Sequence, residues 1–66
     1  MELTINTVYG DLTVRDAMID TDGTNLTSGV VVTTEDGQWL CELSGFCADS
    51  FDCDPEALEE LIDIYV

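Results

Sequence analysis

Residues 29–45 constrain this chain more than any other stretch. Val30-Val31-Val32-Thr33-Thr34 and Gln38 to Leu43 are two strand-like runs on either side of Glu35-Asp36-Gly37, the pattern of an antiparallel hairpin. A two-residue Asp36-Gly37 turn suits type I′ geometry, in which both positions take positive φ. That turn sets a register with Thr34 opposite Trp39, Val32 opposite Cys41 and Val30 opposite Leu43, all on one face. The other face then carries Val31, Thr33 and Glu35 with Gln38, Leu40 and Glu42. One apolar face and one mixed face is what a half-buried antiparallel sheet presents. The rest of the chain must therefore cover the apolar side.

The C-terminal stretch supplies a cover. Asp54-Pro55 reads as N-cap and first helical position, because the aspartate accepts from open backbone N–H groups and proline has no N–H to leave unpaired. Leu58, Leu61, Ile62 and Tyr65 then recur at offsets of three and four, one face of a helix. Cys53 and Leu58 are placed for a hydrophobic staple. The opposite face is Glu56, Glu59, Glu60 and Asp63, at i, i+3, i+4 and i+7, so neighbouring carboxylates stand about 5–6 Å apart. Like charges at that spacing cost a few tenths of a kcal/mol per pair, and no cation on the segment relieves them. Reversing Glu59 and Glu60 to lysine is expected to raise thermal stability while abolishing any function of the acidic row.

The N-terminal half is less regular. Glu2 to Tyr9 alternates as a strand, with Leu3, Ile5 and Tyr9 on one side. Gly10-Asp11 breaks it. Thr13 with Asp16 resembles a capping box, which favours a short helix over 14–20 packing Val14, Ala17 and Met18. A second strand is the alternative, since Gly10-Asp11 equally suits a hairpin turn. Asp20-Thr21-Asp22-Gly23-Thr24-Asn25 is a polar turn that fails as a calcium loop. With Gly23 at the glycine position, Met18 and Gly29 fall where the motif needs Asp and Glu. Asn25-Leu26-Thr27 is a glycosylation triplet with nothing to send it to the relevant compartment. Residues 44–53 are read as the loop feeding the terminal helix.

The expected fold is α+β: a small three-stranded, mostly antiparallel sheet with two helices, the C-terminal one packed on the sheet. Leu3, Ile5, Val30, Val32, Trp39, Cys41, Leu43, Leu58, Leu61 and Ile62 form the expected core of one domain spanning 1–66. A chain of this size buries only about 60% of its unfolded surface, so its stability margin is small. There is no apolar run of membrane-spanning length and no signal-peptide pattern, and a cytoplasmic location is expected. Cys41, Cys47 and Cys53 fall at C-x5-C-x5-C; without histidine this matches no common zinc pattern. They are read as small apolar residues in a reducing compartment, with a Cys47–Cys53 disulfide as the alternative.

Charge then decides the class of function. Fifteen acids stand against one base, Arg15, for a net charge of −14. A globule of this length has a diameter of roughly 28 Å, which gives about one charge per 2 Å; duplex DNA carries one per about 1.7 Å of axis. A net charge of about 2–8 would suffice for solubility. Without histidine or lysine, and with no glycine-rich phosphate loop, the usual nucleophile–base pairs and phosphate cradles cannot be built. Enzymatic activity, a cofactor, a resident metal, a membrane and direct nucleic-acid binding are accordingly not expected. What remains is attraction to something basic, steered electrostatically and weakened by salt.

In size, in near absence of basic residues, and in its acidic rows (Glu56, Glu59, Glu60 and Asp63, with Asp49, Asp52 and Asp54 nearby), the chain resembles small acidic phage anti-CRISPR proteins of the DNA-mimic kind. The resemblance is one of overall character, carried by no diagnostic motif. It implies a non-enzymatic inhibitor acting in the bacterial host cytoplasm to evade host defence. The acidic face would cover the lysines and arginines that grip DNA or read the protospacer-adjacent motif, with the large subunit of a type I Cascade complex as the implied target. Partner-binding candidates are Asp49, Asp52, Asp54, Glu56, Glu59, Glu60 and Asp63, with Glu35, Asp36 and Glu42 as a second patch. The alternative is an antitoxin or immunity-type protein that neutralises a basic protein. A third possibility is a small subunit whose apolar end, Ile64, Tyr65 and Val66, is covered in an assembly. The protein itself is expected to be a monomer or weak homodimer.

Overall fold

Among the described residues, four strands form one antiparallel sheet in the order β1-β2-β3-β4, and a single C-terminal helix packs against it. In this computed structural model, residues 1–20, 23 and 25–65 are described. They comprise β1 (Glu2–Thr7), β2 (Gly10–Asp20), β3 (Leu26–Thr33), β4 (Trp39–Ser44), a 3-10 turn (Ala48–Phe51) and α1 (Pro55–Tyr65). The α+β class with an antiparallel sheet and a packed terminal helix is as the sequence implies. The count of three strands and two helices is not.

The difference lies in residues 14–20, which are strand and not helix. They belong to β2, at 11 residues the longest strand, bonded on one side to β1 and on the other to β3. A spacing such as Val14, Ala17, Met18 is weak support for a helix when Leu12, Val14, Thr13 and Ile19 also fit a strand. Tertiary pairing then outweighs local propensity. As a central strand, β2 exchanges backbone hydrogen bonds with both neighbours, and it buries Leu12 and Val14 completely or nearly so. The β1–β2 turn is Val8-Tyr9, two positions earlier than Gly10-Asp11, since Thr7 pairs with Gly10. Thr7 Oγ1 holds it, donating to the Gly10 carbonyl and accepting from the Tyr9 N–H, both at 3.0 Å.

The β3–β4 hairpin keeps half of its expected register. Val32 faces Cys41 and Val30 faces Leu43 as the alternation requires, but Trp39 faces Thr33 in place of Thr34. No non-glycine residue among those described has positive φ, so Asp36 cannot occupy a type I′ position. Gly37 alone does, at φ 84°, and its N–H donates to the Thr34 carbonyl at 2.9 Å. The Thr34 N–H in turn donates to Gln38 at 2.9 Å, giving a three-residue loop with glycine at its left-handed end. One extra loop residue shifts the register by one, and a bulge at Leu40 restores it before Cys41. Between loop and bulge the faces are exchanged. Trp39, expected in the core, is 61% exposed, and Leu40 packs against the core instead.

The core lies between the sheet and the layer made by the 3-10 turn and α1. Ile5, Leu12, Val14, Val30, Val32, Cys41 and Leu43 come from the sheet, and Ala48, Phe51, Leu58 and Ile62 from the covering layer. Leu3 and Leu61, expected inside, are half-buried at its margin, while Tyr65 projects outward. The segment taken as a plain loop contributes Phe51, at 1% exposed one of the best-buried large side chains, with Phe46 tilted against it at 5.7 Å. Gly29 marks a second close approach. A Cβ there would stand 2.6 Å from both Ile19 Cγ1 and the Leu43 carbonyl oxygen. Much of the polar turn 20–25 lies outside the described residues; within it the Gly23 N–H donates to Asp20 Oδ1 at 2.7 Å.

Candidate acidic interface

The helix begins where the sequence places it. Asp54 caps α1, its Oδ1 accepting the Ala57 N–H at 3.2 Å, and Pro55 is the first helical residue. Glu56 in the first turn sits favourably at the positive end of the helix dipole. Asp63 in the last turn sits at the wrong end, with no basic residue beside it. Both Leu58 and Ile62 are buried, so the acidic row points away from the sheet interior.

The row is divided in its use. Glu59 is half-buried, and its Oε2 accepts the Val8 backbone N–H at 2.8 Å. Asp63 accepts a hydrogen bond from the Tyr9 hydroxyl. These two carboxylates thus clamp the β1–β2 turn to the helix, and Asp63 gains from Tyr9 some compensation for its place at the helix C-terminus. Glu56 and Glu60 have no partner among the described residues and are exposed. Raised stability on reversing both Glu59 and Glu60 is therefore no longer expected, since only Glu60 is free of internal bonds.

Asp49 and Asp52 are exposed on and just after the 3-10 turn, which makes them, with Asp54, Glu56 and Glu60, a run of open carboxylates on one continuous segment. Glu35 and Asp36 are exposed at the tip of the β3–β4 hairpin. Glu42 lies between buried Cys41 and Leu43 on β4 and so projects from the sheet face opposite the helix. The second patch is thus divided between a loop tip and the uncovered sheet face.

Compensating charge is scarce. Arg15 lies directly across β1–β2 from Glu2 but forms no ion pair within 4 Å among the described residues. The ion pair those residues do show joins the Met1 amino group to Asp16 Oδ2 at 3.2 Å. Asp16 also accepts the Ala48 N–H through Oδ1 at 2.8 Å, tying β2 to the 3-10 turn. That backbone bond, and next the Met1 amine, hold its carboxyl below the ordinary value. Sequence reasoning missed Asp16, Val8 and Tyr9 as partners of this layer, because each contact spans more than thirty residues and no local period signals it.

All three thiols are unpaired: Cys41 is buried, while Cys47 and Cys53 are exposed. The reading as buried apolar residues thus holds for Cys41 alone. No group of three or more potential ligands suited to a metal occurs among the described residues, and no helix among them is long and apolar enough to cross a membrane. Along the 34 Å long axis the net charge comes to one per about 2.4 Å, still close to the duplex spacing of about 1.7 Å. In comparisons with known proteins, no family model, curated protein or solved structure matches this chain.

Proposed function

We propose that this protein is a non-enzymatic inhibitor that presents the charge of DNA to a basic nucleic-acid-binding protein and occupies its DNA-binding surface. The observation that carries the reading is the open run Asp49, Asp52, Asp54, Glu56 and Glu60. These carboxylates are exposed along one short segment, no cation pairs with them among the described residues, and a compact core behind holds the segment in place. Carboxylates carried on a folded segment replace phosphates without the backbone-ordering cost that a disordered acidic tail would carry on binding. Within this reading, the resemblance to anti-CRISPR DNA mimics points to the large, motif-reading subunit of a Cascade complex as the target.

The test is capture from bacterial lysate at low salt, eluted by a salt gradient with and without excess duplex DNA. A basic DNA-binding complex that duplex DNA displaces supports the reading. A partner indifferent to DNA favours the second one, an antitoxin or immunity-type protein using an ordinary interface. The exposed aromatics Trp39 and Tyr65 favour that alternative, because aromatic anchors typify protein–protein contacts and not phosphate imitation.

A further inference from the structure

Outside the acidic run, an open hollow of about 520 Å³ is lined by the end of β2, by β4 and by Tyr65 in the last turn of α1. Its apolar lining includes Ile19 and Leu40. Trp39 and Tyr65, exposed by 61% and 66%, also border it, as do the acidic residues Asp20 and Glu42. Glu42 has no partner among the described residues. Asp20 accepts the Gly23 N–H through Oδ1, which orients its carboxylate, and its other oxygen has no partner among the described residues. Two large aromatic side chains left in water beside acidic residues that no cation among the described residues neutralises are a combination that solubility does not call for.

Resting on the proposal of a basic partner, we infer that this hollow receives an arginine side chain of that partner. The guanidinium is planar, so it stacks on an indole or phenol face and at the same time directs N–H donors at carboxylates. Its aliphatic stem suits the apolar lining, and the charge complements Glu42 and Asp20. A lysine ammonium would satisfy the carboxylates but not the stacking, and a phosphate group would meet two like-signed carboxylates. A second copy of this chain is disfavoured for the same reason, since it offers one arginine against a net charge of −14.

Trp39 is the sole tryptophan, so its indole N–H resonance reports on this hollow alone. The protein is titrated at constant ionic strength with N-acetyl-argininamide, N-acetyl-lysinamide and N-acetyl-citrullinamide, the last a neutral near-isostere of arginine. The expected result is a saturable shift with the arginine probe and at least tenfold weaker responses to the other two. Glu42→Gln is expected to weaken arginine binding about tenfold, and Glu56→Gln, outside the hollow, to leave it unchanged. Equal responses to all three probes, an unsaturable shift, or an unchanged affinity in folded Glu42→Gln would overturn the assignment. The lysate capture is read separately: DNA-displaced capture without an arginine response removes the hollow and leaves the acidic run, and the converse result removes the DNA mimicry and leaves the hollow.

Discussion

Glu59 Oε2 accepts the backbone N–H of Val8 at 2.8 Å, joining α1 to the β1–β2 turn across 51 residues of chain. One turn further along the helix, Asp63 takes the Tyr9 hydroxyl. Half of the acidic row is thus part of what holds the helix on the sheet.

Neighbouring glutamates should therefore behave in opposite ways. Glu59→Ala leaves the Val8 N–H without its partner and is expected to cost about 1 kcal/mol, a fall in Tm of roughly 4–8 °C for a domain of this size. Glu60→Ala removes only repulsion and should leave Tm unchanged or slightly raised. Thermal melts of the two variants at equal salt check this. Equal effects would remove the clamp.

Gly29→Ala should destabilise strongly although alanine suits a strand better than glycine. The added Cβ would sit 2.6 Å from the Leu43 carbonyl oxygen, which is backbone and cannot swing aside. A cost of about 1–3 kcal/mol is expected from such overpacking, read as a lower midpoint in urea.

Acid should act on Asp16 in a defined direction. Its folded pKa lies below the ordinary 3.8, so its contribution is complete above that value and is lost as pH falls through the lowered folded pKa. The stability gap between wild type and Asp16→Asn should be constant near neutrality and close only below pH 3.8. Denaturant melts at stepped pH measure it. A gap that persists at the lowest pH would show that the charge of Asp16 contributes nothing.

Thiol labelling distinguishes the three cysteines. Cys47 and Cys53 are exposed and should react at once with a disulfide reagent. Cys41 is 4% exposed and burial raises its thiol pKa, so it should react only on unfolding.

The elements with strong local chemistry were legible in the sequence. The Asp54-Pro55 start of α1 and the Val32–Cys41 and Val30–Leu43 pairs follow from capping and from alternation, and the structure has all of them. Trp39 was misplaced because a three-residue loop differs from a two-residue one by a single register step, which exchanges the faces for Trp39 and Leu40. β2 was ambiguous because a helical and a strand period overlap over Leu12 to Met18, and only the pairing of β1 and β3 on either side decides between them. The candidate acids of the 3-10 turn and α1 could be named from spacing alone. That Glu59 and Asp63 are engaged could not, since their partners Val8 and Tyr9 are distant in sequence.

The central claim is that the open carboxylates of the 3-10 turn and α1 stand in for phosphates. It is tested most directly by comparing wild type with Glu56→Lys/Glu60→Lys, which spares the clamp residues, in capture of the lysate partner across a salt series with duplex DNA as competitor. Wild type should retain the partner at low salt, lose it steeply as salt rises, and be displaced by DNA. The double variant should remain folded and lose retention at every salt concentration. Retention by the double variant equal to wild type, or a wild-type complex that DNA does not displace, would contradict the claim.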